Sequence, residues 1–221
     1  MSREAVTGQV PHGPSWSGVE LLDRAIAYTR GSLALVTPDL MTAPTPCREW
    51  ALADLLAHLA DSLASLHEAG SCGEVRVAGA CHGSSHGPVD VRETLRAGTA
   101  SVLGELPSLS GPDRFVRGPG QGGSGRPPGR GRSGVLVGGR PLTRGVLAGA
   151  GALEVAVHGW DVSVACGHPR PLPAALATEL LRLAPVLVSA DDRPHLFGPP
   201  LPAPPDAPAG QRLLAFLGRG G

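Results

Sequence analysis

Six leucines constrain this chain more than any other feature. Leu52, Leu55, Leu56, Leu59, Leu63 and Leu66 follow one another at three- and four-residue steps, which places them along one face of an α-helix. A strand would scatter them over both faces, so the segment reads as a helix with an apolar face to bury. Partners for that face recur along the chain. Helical spacing returns at Val19, Leu22, Ile26, Leu33 and Val36, then at Val91, Leu95, Val102 and Leu106. It returns again at Leu147, Leu153, Val157 and Val164, and at Leu176, Leu180, Leu183 and Leu187. Aromatic residues make up 3% of the chain, so the core must be built from Leu, Val and Ala, a composition that favours helices over sheets. The expected fold is all-α with one core, since 221 residues suit one domain with extensions.

Punctuation residues set the expected boundaries. Ser15 or Ser17 would cap a first helix over 19–36, and Thr45 followed by Pro46 would start a second over about 46–68. A third is expected over 89–106, a fourth over 143–166 with Gly167 as its C-cap, and a fifth from Pro173. Residues 1–14 read as a flexible tail and 70–88 as a loop. Between Pro107 and Pro141, 17 of 35 residues are Gly or Pro, and six arginines face one acid, Asp113. That stretch disfavours a helix and reads as a mobile loop or lid, with a short ribbon at Val135–Val137. The expected division is a tail (1–14), a bundle (15–190, with the 107–141 loop) and a C-terminal arm (191–221). The arm runs through proline-rich Phe197–Pro208 to a short turn at Arg212–Leu217.

Charge and cysteine usage exclude several functions. The chain carries 19 basic residues, all arginine, and 19 acidic ones. A zero formal charge gives no field to recruit nucleic acid or an anionic membrane. No 7–15-residue apolar stretch stands at the N-terminus, so a cytoplasmic protein without nucleic-acid or membrane partners is expected, a monomer or homodimer. Cys47, Cys72, Cys81 and Cys166 form no CxxC pair and read as reduced thiols.

The chemistry concentrates in the fourth helix. Glu154 and His158 are four residues apart, about 40° round the helix with Cβ atoms roughly 5 to 6 Å apart, so both heads reach one cation. A carboxylate and an imidazole suit zinc and neighbouring divalent metals. An exposed Glu/His pair at this spacing is equally ordinary helix surface. The neighbours Leu153, Val155, Ala156, Val157 and Trp160 make isolated charge costly here, so partners are expected. His58, at the border of the leucine face, is the candidate third ligand. Its plainer reading is a core histidine bonded to a carbonyl. Three protein ligands would leave a coordination position open, the mark of a catalytic site.

Four segments carry a family resemblance: Thr45-Pro46-Cys47-Arg48-Glu49-Trp50, Leu55-Leu56-Ala57-His58-Leu59, Glu154-Val155-Ala156-Val157-His158-Gly159-Trp160-Asp161, and Arg212 to Arg219. In this order they resemble the actinobacterial, mycothiol-dependent maleylpyruvate isomerase-like branch of the DinB superfamily. The resemblance implies a DinB-like four-helix bundle whose long Gly/Pro/Arg-rich loop precedes the last bundle helix, with a short C-terminal extension. It implies a divalent metal, zinc in the isomerase, on His58, Glu154 and His158. It also implies mycothiol as the thiol cofactor, with Arg219 as a candidate cofactor-binding residue. The 107–141 stretch carries no motif of the family, and the chain is short for the isomerase's second domain.

The implied activity is that of an isomerase or S-transferase. A thiol at the open position would lose its proton to the cation's field and attack a small electrophilic substrate, then leave after rotation or stay attached. Asp161, one turn after His158, would orient that imidazole or be a solvated or salt-bridged carboxylate. Four rivals stand beside this reading. Cys47 would be a protein-borne nucleophile at a helix start. Cys72, Cys81, His82 and His86 would form a second metal site, though their spacing fits no standard zinc module. The chain would otherwise be a non-catalytic metal- or thiol-binding protein, or a metal-dependent enzyme that uses no thiol.

Overall fold

The computed structural model describes residues 16–47, 49–72, 74–75, 91–110, 134–137, 140–190, 193 and 197–220. Ser17 opens the first helix, α1 (Gly18–Leu33), through a capping box. Its hydroxyl accepts the Glu20 N–H at 3.3 Å, and the Glu20 carboxylate accepts the Ser17 N–H at 2.8 Å, so two orphan donors are satisfied at once. The leucine face belongs to α2 (Leu52–Cys72): Leu52, Leu55, Leu56, Leu59 and Leu63 are fully buried and Leu66 nearly so. Two more long helices follow, α3 (Val91–Leu109) and α4 (Arg144–Ala165). Then come α5 (Ala174–Leu187) and α6 (Ala209–Phe216). α1 packs along α4 and α2 packs on α3 and α4, while α5 and α6 pack together beside the bundle. The fold is an all-α bundle, as the leucine periodicity requires.

Several boundaries differ from the sequence reading: α2 runs on to Cys72 and β1 follows at Glu74–Val75, inside the expected 70–88 loop, and three further differences have local reasons. Thr45 and Pro46 do not start α2. The Thr45 hydroxyl instead accepts the Cys47 N–H at 3.1 Å and lies 2.9 Å from the Trp50 carbonyl, a side-chain turn that competes with helix capping. A bridge between Pro44 and Ala51 closes the loop, and the Asp54 carboxylate accepts the Ala51 N–H at 3.0 Å. α3 passes through Pro107 to Leu109, because a proline in the last turn removes one hydrogen bond while Leu109 is buried there. The short ribbon becomes part of a small sheet: β2 (Gly134–Val137) pairs antiparallel with β3 (Arg140–Thr143), and β1 (Glu74–Val75) pairs parallel with β2. Thr143 ends β3 and caps α4. The tail at 1–14 and residues 111–133 of the expected lid lie outside the described residues.

The last helix is longer than the expected Arg212–Leu217 turn. Leu213, Leu214 and Leu217 are buried, so the C-terminal segment adds to the core. Both α4 and α6 end on a glycine at positive φ, Gly167 at 72° and Gly218 at 75°. The next N–H reaches back in each case, His168 to Ser163 O at 3.0 Å and Arg219 to Leu214 O at 2.9 Å, the pattern of a Schellman cap. Gly218 also lies so close to Gly198 that a Cβ would stand 2.6 Å from the Gly198 carbonyl carbon.

α1 and α4 approach closely enough to depend on small residues. The Thr29 hydroxyl donates to Val155 O at 2.7 Å, and a Cβ on Gly159 would stand 2.2 Å from that hydroxyl oxygen. Gly159→Ala is therefore expected to destabilise the protein by about 1–3 kcal/mol through overpacking in urea denaturation. Gly104→Ala, where a Cβ meets open space on exposed α3, should be neutral or stabilise by up to about 1 kcal/mol.

Candidate metal and thiol site

The bundle brings together the three candidate ligands. α2 supplies His58, and α4 supplies Glu154 and His158 one turn apart. The His58 Nε2 lies 2.6 Å from the Glu154 Oε1, and the His158 Nε2 lies 3.3 Å from the same oxygen. All three ligand atoms fall within 4.8 Å of one another. Ser62, one turn after His58, donates its hydroxyl to the Glu154 Oε1 at 3.0 Å. Trp50, delivered by the loop before α2, lies against both imidazoles with ring centroids 4.8 Å from His58 and 6.2 Å from His158. Periodicity did not single out Ser62; its place four residues after His58 was the available signal.

His158 is fixed from behind. Its Nδ1 is 2.9 Å from the Asp161 Oδ2, so its Nε2 faces Glu154. Asp161 is fully buried, and the Arg219 guanidinium donates to it through Nε at 2.9 and 3.1 Å and Nη2 at 2.8 Å. The two sequence alternatives for Asp161 meet in one residue: its carboxylate both touches the imidazole and forms a salt bridge. Arg219 is itself buried because the Gly218 cap turns the chain inward.

The charges of this network hold one another in place. Burial pushes the Asp161 carboxyl upward, but its hydrogen bond with His158 and the Arg219 charge keep it below its ordinary range. Glu154 likewise lies well below the usual carboxylate range: the His158 and His58 rings outweigh burial. Burial opposes the charge of His158, yet Glu154 and Asp161 together raise it well above the ordinary histidine range. The His158 Nδ1 hydrogen-bonds with Asp161, and its Nε2 stands 3.3 Å from the Glu154 carboxylate.

These donors suit a divalent cation. Two imidazole nitrogens and one carboxylate oxygen converge, one imidazole backed by a carboxylate on its far nitrogen, an arrangement that fixes tautomer and orientation at metal centres. A second trio, Cys47, His158 and Asp161, also falls within 4.8 Å. There the Arg219 Nη2 already lies 3.5 Å from the Cys47 Sγ and 2.8 Å from Asp161, so a cation is in place. The Cys47 Sγ lies 4.0 Å from the His158 Nδ1, closer than sequence separation suggested. That nitrogen already faces Asp161 and is no free base for the thiol. Cys81, His82 and His86 lie outside the described residues. Cys47 and Cys166 are free thiols.

A cavity of about 370 Å³ opens beside Glu154 and His158. Leu66, Leu147, Val157 and Phe197 form apolar walls, and Arg219 also lines it. No helix among the described residues is long and apolar enough to cross a membrane.

Comparison with known proteins gives this geometry a family context. The model of the mycothiol maleylpyruvate isomerase N-terminal domain matches residues 22–133, half of the chain. Two uncharacterized proteins of Mycobacterium tuberculosis strains, Rv0738 and MT0763, are each 26% identical over 209 residues, covering 85% of this chain and 89% of theirs. No solved structure matches the chain.

The buried pair yields a stability prediction. Asp161→Ala leaves the Arg219 charge without its partner and should cost about 3–5 kcal/mol, whereas the Asp161→Ala/Arg219→Leu double variant should recover most of that loss. Urea denaturation of the metal-free proteins checks this. A double variant no more stable than Asp161→Ala would show that the unpartnered Arg219 charge is not the source of the loss.

Proposed function

The chain belongs to the mycothiol maleylpyruvate isomerase N-terminal domain family; from that premise we propose that it is a metal- and mycothiol-dependent enzyme acting on a small electrophile. The observation that carries this reading is the convergence of His58, Glu154 and His158, of which Glu154 and His158 line a largely apolar cavity. The three residues would hold one divalent cation, zinc by the resemblance. When bound, such a cation supplies the positive charge that keeps a thiol deprotonated at neutral pH.

The chain's own residues do the remaining work. Ser62 and Glu154 share a hydrogen bond that sets the carboxylate's direction. Asp161 holds the His158 Nδ1 and so directs the Nε2 to the cation. Trp50 packs against both imidazoles and restricts their ring orientation. Arg219 lines the cavity and is the residue proposed to contact the thiol cofactor, its orientation fixed by Asp161. The cavity would hold the electrophile beside Glu154 and His158. Isomerisation and S-transfer both start from that encounter, and the product distinguishes them.

Two measurements test the proposal. His58→Ala and His158→Ala should each lose bound metal by elemental analysis while staying helical by circular dichroism; full retention in both would sink the site. Wild-type protein with mycothiol should convert a cis-enoyl acid, a quinone or an epoxide to an isomer or a thioether. Leaving out thiol or metal should stop the reaction. Turnover that persists without any thiol would overturn the mechanism even with the metal site intact.

A further inference from the structure

The cavity wall that Phe197 forms belongs to no regular element. Among the described residues, the chain from 188 to 208 contains neither helix nor strand, so its course depends on single contacts with the elements around it. One side chain supplies several of them. Arg193, half-buried in a turn after α5, donates through Nη1 to the Gly198 carbonyl and through Nη2 to the Phe216 carbonyl at 2.7 Å. Its Cζ also lies 5.0 Å from the centre of the Phe216 ring, within the range of a cation–π contact.

The two carbonyls explain why an arginine stands here. Phe216 ends α6, where carbonyls lack donors within the helix and the helix dipole favours a cation. Gly198 follows Phe197 directly, and its backbone packs tightly on the Gly218 cap of that same helix. A planar guanidinium presents its donors as a rigid fork, so one side chain pins the residue after Phe197 to the end of α6.

From this geometry we propose that Arg193 is a positioning residue: it holds the Phe197 ring in the cavity wall and thereby sets how tightly the cavity binds its occupant. The proposal rests on the reading of this cavity as the electrophile's site, and it adds a residue that tunes affinity there through another. Without the Arg193 fork, Gly198 loses its tie to α6 and Phe197 leaves the wall with it, exchanging apolar contact with the occupant for water. The candidate ligands sit on α2 and α4, and Arg219 keeps its three hydrogen bonds to Asp161. Binding therefore changes while the cation site stays intact.

Fluorescence titration of the zinc-loaded protein with prodan, a neutral dye that brightens in apolar surroundings, tests this. Phe197→Ala and Arg193→Ala should each weaken the dye at least about fivefold with zinc content unchanged. The double variant should bind no more weakly than Phe197→Ala alone, because Arg193 then has no ring to hold. Arg193→Lys keeps a cation at the end of α6 but loses the fork, so it should fold even where the alanine variant does not, and bind with intermediate affinity. For an electrophile that is turned over, Arg193→Ala should raise KM by a similar factor and leave kcat within about twofold, whereas a loss of folded protein would lower the rate at unchanged KM. Wild-type dye affinity in the Arg193 variants, losses that multiply in the double variant, or a wild type that does not bind the dye would overturn the proposal. Failure of the enzymatic reading looks different: no electrophile gives a thiol-dependent product, while the dye titrations still decide what Arg193 does.

Discussion

Helix α4 is apolar on nearly every face, yet it carries Glu154, His158 and Asp161 into the interior. Charge in that position is tolerated only when each group is met by another, and much of the architecture answers this demand. α2 brings His58 and Ser62 to Glu154. The chain after α6 brings Arg219 to Asp161. His158 stands between the two halves, with one ring nitrogen toward each carboxylate. The site and the core are therefore one construction: the contacts that allow α4 to be buried also aim its side chains.

Two backbone features allow this convergence. The glycine caps turn the chain where a side chain could not follow, and the Gly218 cap delivers Arg219 to a buried carboxylate. The close approach of α1 to α4 at Gly159 and Thr29 holds α4 near its ligand-bearing segment. The loop before α2 contributes in a different way. Its Thr45 turn and Pro44–Ala51 bridge hold Trp50 against both imidazoles and Cys47 beside His158, where a helix begun at Pro46 would have carried them along α2.

Much of this was legible in the sequence because it follows from periodicity. The leucine face of α2 and the Glu154–His158 spacing are direct consequences of 3.6 residues per turn, and the apolar neighbours of Glu154 announced that it needed partners. The start of α2 is not legible in the sequence, because Thr followed by Pro signals both a helix N-terminus and a side-chain turn, and local chemistry alone does not choose between them. The contact between Cys47 and Arg219 joins residues 172 apart in the chain. No local pattern encodes it. The role of Ser62 was hidden for a related reason: a serine at a helix border is ordinary until the carboxylate that it meets is located on another helix.

The account depends on His58, Glu154 and His158 forming the cation site, with Cys47 excluded from it by the Arg219–Asp161 pair. X-ray absorption at the metal edge of the zinc-loaded protein tests this most directly, because sulfur and imidazole neighbours are distinguishable by distance. The prediction is a shell of nitrogen and oxygen at ~2.0–2.2 Å containing two imidazoles. A sulfur neighbour at ~2.3 Å in protein without added thiol would place Cys47 in the shell and contradict the account, as would an unchanged spectrum in the His58→Ala/His158→Ala double variant.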